Sequence, residues 1–76
     1  MMIFSEELKR LRQRTFLSQE AFAKELKVSF STVNRWERGR TKPNLAAMKS
    51  LKYFCLSHNI AFEQIEEKWL DWDINN

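Results

Sequence analysis

Three residues near the middle of the chain carry side chains suited to reading the edges of DNA bases. Ser31, Asn34 and Arg35 fall on one side of a helix that advances 100° per residue. An arginine can pair with O6 and N7 of guanine, an asparagine with N6 and N7 of adenine, and a serine with several bases. The same residue types also line ordinary solvent-exposed helix faces, so these residues alone leave both interpretations open.

Other chemistry-bearing residues are too few or too scattered to predict a catalytic or metal site. The single cysteine, Cys55, and the single histidine, His58, fall short of a zinc site. One glycine in the chain is too few for a phosphate-cradling loop. The acidic residues near the carboxyl end, Glu66, Glu67, Asp71 and Asp73, fit a solvated surface. We therefore expect no catalytic residue, no metal, no cofactor and no enzymatic activity.

Helical periodicity supplies the elements that must position the three polar residues. Apolar residues recur at helical spacing in five segments, which predict helices over about 4–14, 19–26, 30–38, 45–58 and 61–72. Val33 and Trp36 form the apolar side of the third segment, opposite the polar residues. No strand alternation is present. The sequence predicts one compact all-α domain spanning residues 1–76, with a helix-turn-helix at the second and third helices.

Local signals at the predicted helix ends support this division. Ser18, Ser29 and Asn44 stand where a side-chain oxygen caps a helix start. Gly39 and Asn59 stand where a helix ends in a left-handed residue.

The charge is unevenly distributed along the chain. Residues 1–43 contain ten Lys and Arg against five Asp and Glu, whereas residues 44–76 contain three against five. A basic amino-terminal half favours a polyanionic partner, although an ordinary solvated surface has a similar composition. The longest stretch without a charged residue has ten residues, 53–62, which is too short to span a membrane. The amino terminus lacks the pattern of a secretory signal, so a cytoplasmic location is expected.

Residues 18–45 resemble the phage-repressor and Cro family of helix-turn-helix domains, also called the xenobiotic-response-element type. The resemblance is carried by the Ser18-Gln19-Glu20 opening, small Ala23, Leu26, Val28-Ser29, Val33, the Trp36-Glu37-x-Gly39 exit and Lys42-Pro43. With the Leu8-Lys9-Arg10-Leu11-Arg12 run and the fourth helix, it covers about residues 4–56. The family implies a repressor-like fold that inserts its third helix into the DNA major groove.

The resemblance also implies roles for individual residues. Base contacts are expected from Phe30, Ser31, Asn34 and Arg35. Phosphate contacts are expected from Gln19, Arg38, Arg40 and Lys42, together with the amino end of the second helix. Arg12 and Glu37 match a pair that forms a structural ion pair beneath the DNA-facing surface, and Ala23 matches the small residue that lets the two helices approach closely.

Two positions depart from the family pattern. Lys27 stands where the family has glycine in the turn, so a non-glycine residue is expected at positive φ, at a cost of roughly 1 kcal/mol. Phe30 replaces a polar residue at the first base-reading position. It either touches a thymine methyl group or folds back onto the edge of the core near Val33.

The carboxyl-terminal segment has an apolar face outside the resemblance. Phe62, Ile65, Trp69 and Trp72 share one side of the fifth predicted helix. This face is either a lid on the monomer core or a dimer contact, and a chain of this size favours the dimer contact, with a homodimer at least on DNA.

The resulting hypothesis is a small bacterial or phage transcription regulator that binds double-stranded DNA sequence-specifically, most simply at a palindromic operator. The alternative is an interaction protein of the antitoxin type. In that case residues 60–76 grip a basic protein partner and the helix-turn-helix autoregulates. A stable heteromeric partner bound to this segment would favour the alternative.

Overall fold

The computed structural model describes residues 3–72, and this part of the chain folds into α-helices joined by short connectors. The helices are α1 (Phe4–Arg14), α2 (Gln19–Leu26), α3 (Phe30–Glu37), α4 (Leu45–Ser57) and α5 (Glu63–Leu70). The described residues include no strand. The predicted all-α class is therefore confirmed. The predicted ends of the third and fourth helices each run one residue too far, and α5 is shorter than the predicted 61–72.

The three side-chain caps predicted from the sequence are all present. Ser18 Oγ accepts a hydrogen bond from Ala21 N at 3.1 Å at the start of α2. Ser29 Oγ accepts from Thr32 N at 3.1 Å before α3, and Asn44 Oδ1 accepts from Ala47 N at 2.9 Å before α4. Each oxygen satisfies a backbone N–H that has no partner within its helix, which fixes where the helix begins.

Left-handed residues end α2, α3 and α4. Lys27 (φ 59°), Gly39 (φ 73°) and Asn59 (φ 56°) occupy this conformation, as their positions in the sequence predict. After α3, Gly39 N donates to Trp36 O and Arg40 N donates to Arg35 O, the bonding pattern of a Schellman motif.

The connector after α1 contains a left-handed residue that the sequence did not indicate. Phe16 has φ 59° and its side chain is 95% exposed. A non-glycine residue in this conformation is strained, and nothing in the described fold compensates by burying the ring.

The core joins the helix-turn-helix to the rest of the fold. α2 packs against α3 and α4, while α1 packs against α3 and α5. The buried apolar side chains are Phe4, Leu8, Leu11, Phe22, Ala23, Leu26, Val33, Trp36, Ala47, Met48, Leu51, Phe54, Cys55 and Ile65. Because Val33 and Trp36 are among them, the apolar side of α3 faces inward and its polar side faces outward.

Candidate nucleic-acid interface

The turn between α2 and α3 holds the two helices in close contact. Ala23 is buried where they meet. Lys27 takes the left-handed conformation at φ 59° and ψ 42°, and Val28 N closes the turn by donating to Ala23 O at 3.0 Å. A lysine in the glycine position of the family is thus accommodated with the turn intact.

A buried ion pair lies beneath the exposed face of α3. Arg12 Nε donates to Glu37 Oε2 at 2.7 Å, and Arg12 Nη2 donates to Glu37 Oε1 at 3.0 Å. The accessible fractions of the two side chains are 12% and 2%, respectively. The hydrogen bond to Glu37 raises the pKa of Arg12 from its usual value, with burial acting in the opposite direction. Arg12 Nη1 also donates to Leu17 O at 2.9 Å, so the guanidinium bridges α1, the first connector and α3.

Two residues that were expected to contact DNA are hydrogen-bonded, one after the other, between this ion pair and the surface. Gln19 Nε2 donates to Glu37 Oε1 at 2.9 Å, and Asn34 Nδ2 donates to Gln19 Oε1 at 3.2 Å. Both side chains are half-buried. We call Arg12, Glu37, Gln19 and Asn34 the inner chain. Asn34 has two amide N–H donors and a carbonyl oxygen, so it retains one donor and its acceptor for another molecule.

The remaining polar residues of this surface point into solvent. Ser31, Arg35, Arg38 and Arg40 are exposed, and we call them the outer row. Ser31 Oγ lies 3.2 Å from Ser29 Oγ. The three guanidinium groups make no hydrogen bond or ion pair with any other residue of the range 3–72. Their donors are therefore available to an external acceptor.

Phe30, at the start of α3, is 51% exposed. About half of the residue is covered, so both placements expected from the sequence, packing on the edge of the core near Val33 and contact with a thymine methyl group, stay open. An apolar ring on the same surface as the outer row is suited to contact with an apolar group such as a thymine methyl.

Lys42 differs from the exposed arginines because it contacts α5. Its Nζ lies 4.5 Å from the centroid of the Trp69 ring, and the residue is half-buried. Trp69 Nε1 also donates to Pro43 O at 2.7 Å. Of the four expected phosphate contacts, Arg38 and Arg40 are thus free of internal partners among the described residues, whereas Gln19 and Lys42 have them.

The apolar face on α5 packs against the core of the same chain. Ile65 is 3% exposed, and Phe62, Trp69 and Trp72 are half-buried against the core. The ring centroids of Trp72 and Phe4 lie 5.9 Å apart in an edge-to-face arrangement. This packing is what the lid alternative expects, while Phe62 and Trp69 also border an open groove, so the dimer contact favoured from the sequence stays a prediction. Helical periodicity identifies a stripe that is buried but not the surface that buries it. The antitoxin alternative stays a prediction, since the acidic residues Glu63, Glu66 and Glu67 of this segment are exposed.

The remaining residues considered for chemistry are Cys55, possible metal ligands and the acidic residues near the carboxyl end. Cys55 is buried, and burial raises its pKa to about 11, so little thiolate forms near neutral pH. In the range 3–72, no three His, Cys, Asp or Glu residues cluster as metal ligands would, and no helix has the length and apolar character needed to cross a membrane. Asp73, one of the expected surface carboxylates, lies outside the described residues.

Comparison with known proteins places this surface in a family. A sequence profile described as "Helix-turn-helix domain" matches residues 3–52, which include α1 to α3 and the turn. The chain belongs to the helix-turn-helix domain family. Its resemblance to the repressor and Cro type is confirmed at that level. The family match ends within α4, so α5 lies beyond it.

One curated relative is similar over the same region of this helix-turn-helix chain. The "HTH-type transcriptional activator BcrR" of Enterococcus faecalis is 38% identical over 53 residues, covering 70% of this chain and 26% of the relative. The chain therefore spans about a quarter of the length of that relative. No solved structure matches the chain significantly.

Sequence reasoning missed two features of the site. The bonds from Gln19 to Glu37 and Asn34 link residues 18 and 15 positions apart, and Trp69 bonds Pro43 across 26 positions. No local pattern signals these contacts. The apolar periodicity of the fifth helix was the only indication that Trp69 packs against something.

Proposed function

We propose that this protein binds double-stranded DNA sequence-specifically and regulates transcription, with α3 inserted in the major groove. The observation that carries the proposal is the division of α3: Val33 and Trp36 anchor one side in the core, and the opposite side presents free hydrogen-bonding groups. An α-helix fits the major groove, where each base pair offers a distinct pattern of donors and acceptors. The activity is binding, without a catalytic step, a metal or a cofactor, and it belongs in the cytoplasm, where bacterial DNA is found.

Base reading falls to four residues in this proposal. Arg35 donates to O6 and N7 of a guanine, and Asn34 pairs with an adenine while Gln19 holds its amide in orientation. Ser31 contacts a neighbouring base, and the exposed ring of Phe30 meets a thymine methyl group.

Phosphate contacts set the register of α3 on the duplex. Arg38 and Arg40 supply exposed positive charge. Lys42 retains free N–H donors on the side of its ammonium group that faces away from the Trp69 ring. Gln19 is the first residue of α2, where free backbone N–H groups favour an anion. None of these contacts distinguishes one sequence from another.

Selection from a random duplex library tests the proposal. We expect enrichment of one sequence motif, and we expect the affinity for it to fall steeply with salt. Arg40→Ala should weaken binding to every sequence alike and flatten the log–log salt slope by roughly 1, because one phosphate contact is lost. Lys9→Ala, which neutralises an exposed lysine on α1, is the matched control and should leave the slope unchanged. Recovery of no motif at all would contradict the proposed function.

We further propose that two copies bind a palindromic operator. A single recognition helix contacts too few base pairs to select one site from a genome, and a two-fold dimer places two such helices about 34–36 Å apart. Because Ile65 is buried in the core, the contact is assigned to the open groove between α4 and α5, which Phe62 and Trp69 border. This groove has a volume of about 380 Å³ and is lined by Leu45, Ala46, Met48, Lys49, Lys52, Phe62, Glu66 and Trp69.

The charges around this groove favour a second copy as its occupant. Lys49 and Lys52 stand on the α4 side, and Glu63 and Glu66 stand on the α5 side. A two-fold axis brings the same patch of both copies together, so the lysines of one can meet the glutamates of the other. Leu45, which is exposed at the edge of the groove, would be covered in such a contact.

Leu45→Glu tests the contact, because an acidic residue in the first turn of a helix is compatible with the fold. We expect loss of the two-protomer complex on a duplex with two half-sites and unchanged affinity for a single half-site, measured by gel shift. Leu70→Glu makes the same change at an exposed leucine on α5 and should retain the complex. If Leu45→Glu still assembles as two protomers, the contact lies elsewhere.

A further inference from the structure

The basic loop of residues 39–43 is held by a helix outside the matched family range. It connects α3 to α4 and carries Arg40 and Lys42. Residues 41–43 have no regular secondary structure, whereas Asn44 already caps α4. Trp69 of α5 donates to Pro43 O at 2.7 Å, and its ring lies beneath the Lys42 ammonium at 4.5 Å. One indole thus contacts two successive residues of the loop.

These contacts restrict the loop in two ways. Pro43 is fully buried, and the hydrogen bond fixes the direction of its carbonyl group. The cation over the ring limits the rotamers of Lys42, a side chain that otherwise loses much conformational entropy when it binds. Both restrictions are present before any partner binds, which lowers the cost of ordering the loop on binding.

Trp69 is itself fixed by the packing of α5 against α1. Ile65, one turn earlier on the same helix, is buried on the side that faces α1. The indole is therefore attached to the core at one end and to the basic loop at the other. The packing of the core therefore determines where the indole lies, and the indole determines where the loop lies.

We infer that Trp69 is a positioning residue for DNA binding, holding the basic loop so that Arg40 and Lys42 meet the phosphate backbone. The inference rests on the proposed DNA-binding function and extends it to α5. Trp69 acts through Pro43 and Lys42 and makes no contact with DNA itself. A neutral residue on α5 therefore controls the salt dependence of binding.

Trp69→Phe tests this role, because it removes the N–H donor and retains an aromatic ring. We expect the variant to remain folded by circular dichroism, to bind specific and random duplexes more weakly by a similar factor, and to show a log–log salt slope lower by roughly 1. A purely structural residue would lower the melting temperature and leave the slope unchanged. Cys55→Ala, which deletes a buried thiol on α4, is the control and should behave in this second way.

A double-mutant cycle identifies the residue through which Trp69 acts. The fold-loss of affinity caused by Trp69→Phe should be smaller in a Lys42→Ala background than in the parent, because the Lys42 ammonium lies over the Trp69 ring and the two changes affect the same phosphate contact. The fold-loss should be the same in an Arg35→Ala background as in the parent. Equal effects in all three backgrounds would contradict the inference.

The outcomes separate this inference from the proposed function. If the parent protein selects a motif and Trp69→Phe keeps its salt slope, the positioning role is wrong and DNA binding stands. If the parent protein selects no motif, the proposed function fails first. Should Trp69→Phe fail to fold, benzothienylalanine at position 69 removes the N–H donor with almost no change of shape. The same flattened slope is then expected, and a slope equal to that of the parent would overturn the inference.

Discussion

The inner chain and the outer row use similar residue types on adjacent parts of one surface, yet they differ in what they bind. Arg12 of the inner chain makes a bidentate ion pair with Glu37, with two hydrogen bonds. Arg35 of the outer row has no partner among the described residues. Burial accounts for the difference, because a buried charge must be paired and an exposed one is satisfied by water. The inner chain therefore fixes α3 in the protein, and the outer row remains available for binding.

The largest expected effect comes from breaking the inner chain at its buried end. Glu37→Ala leaves the Arg12 guanidinium without its partner, which typically costs about 3–5 kcal/mol of the free energy of unfolding. Urea denaturation measures the loss. The control Glu25→Ala, at an exposed position of α2, should change stability by less than about 0.5 kcal/mol.

A second pair of measurements tests whether the loss comes from the stranded charge. Replacing both members with apolar residues, Arg12→Met with Glu37→Leu, should recover much of the stability, because no unpaired charge then remains. A Glu37→Ala protein as stable as its parent would show that the ion pair contributes nothing to stability. The inner chain would then not be what fixes α3 in the protein.

A smaller effect is expected where the inner chain reaches the surface. Gln19→Ala removes the amide that links Glu37 to Asn34 and should cost about 1–3 kcal/mol of the free energy of unfolding, since partners lose hydrogen bonds in a half-buried site. It should also weaken discrimination at the base read by Asn34, because that amide loses its orientation. Measuring affinities for single-base variants of the selected site tests this. A loss that is equal on all sequences would instead assign Gln19 to phosphate contact alone.

The smallest effect is expected in the turn that joins α2 to α3. Lys27→Gly relieves the strain of a non-glycine residue at φ 59° but increases the entropy of the unfolded chain, so a net gain of about 0.5 kcal/mol is expected. Thermal unfolding should show a small rise in melting temperature. Lys24→Gly removes the same charge within α2 and should lower stability, because glycine is unfavourable inside a helix. If both variants are less stable than the parent, the Lys27 side chain stabilises the turn by more than its left-handed conformation destabilises it.

Local signals explain why most of the fold was predictable. Ser18, Ser29 and Asn44 each act within three residues of their own position, and Gly39 and Asn59 end helices by backbone conformation alone. The exposed placement of Arg35 followed from the helical period. These features depend on neighbouring residues, so they can be read from the sequence.

Long-range contacts explain what was not predictable. The inward placement of the α5 face, the bond from Trp69 to Pro43 and the link from Gln19 to Asn34 depend on how distant segments meet. A stripe of Phe62, Ile65, Trp69 and Trp72 has the same period whether it covers its own core or a second copy. Phe16 gave no signal of its left-handed conformation either, because its residue type disfavours it.

Affinity measurements with Arg35→Ala on every single-base variant of the selected site test most directly whether the exposed face of α3 reads bases. Arg35 has the free guanidinium that can bond both O6 and N7 of a guanine. We expect a loss of about 1–3 kcal/mol on the selected site, with preference abolished at one guanine–cytosine pair and retained at the other positions. An equal loss on the selected site and on random duplex, with every base preference intact, would contradict it and reassign Arg35 to the phosphate backbone.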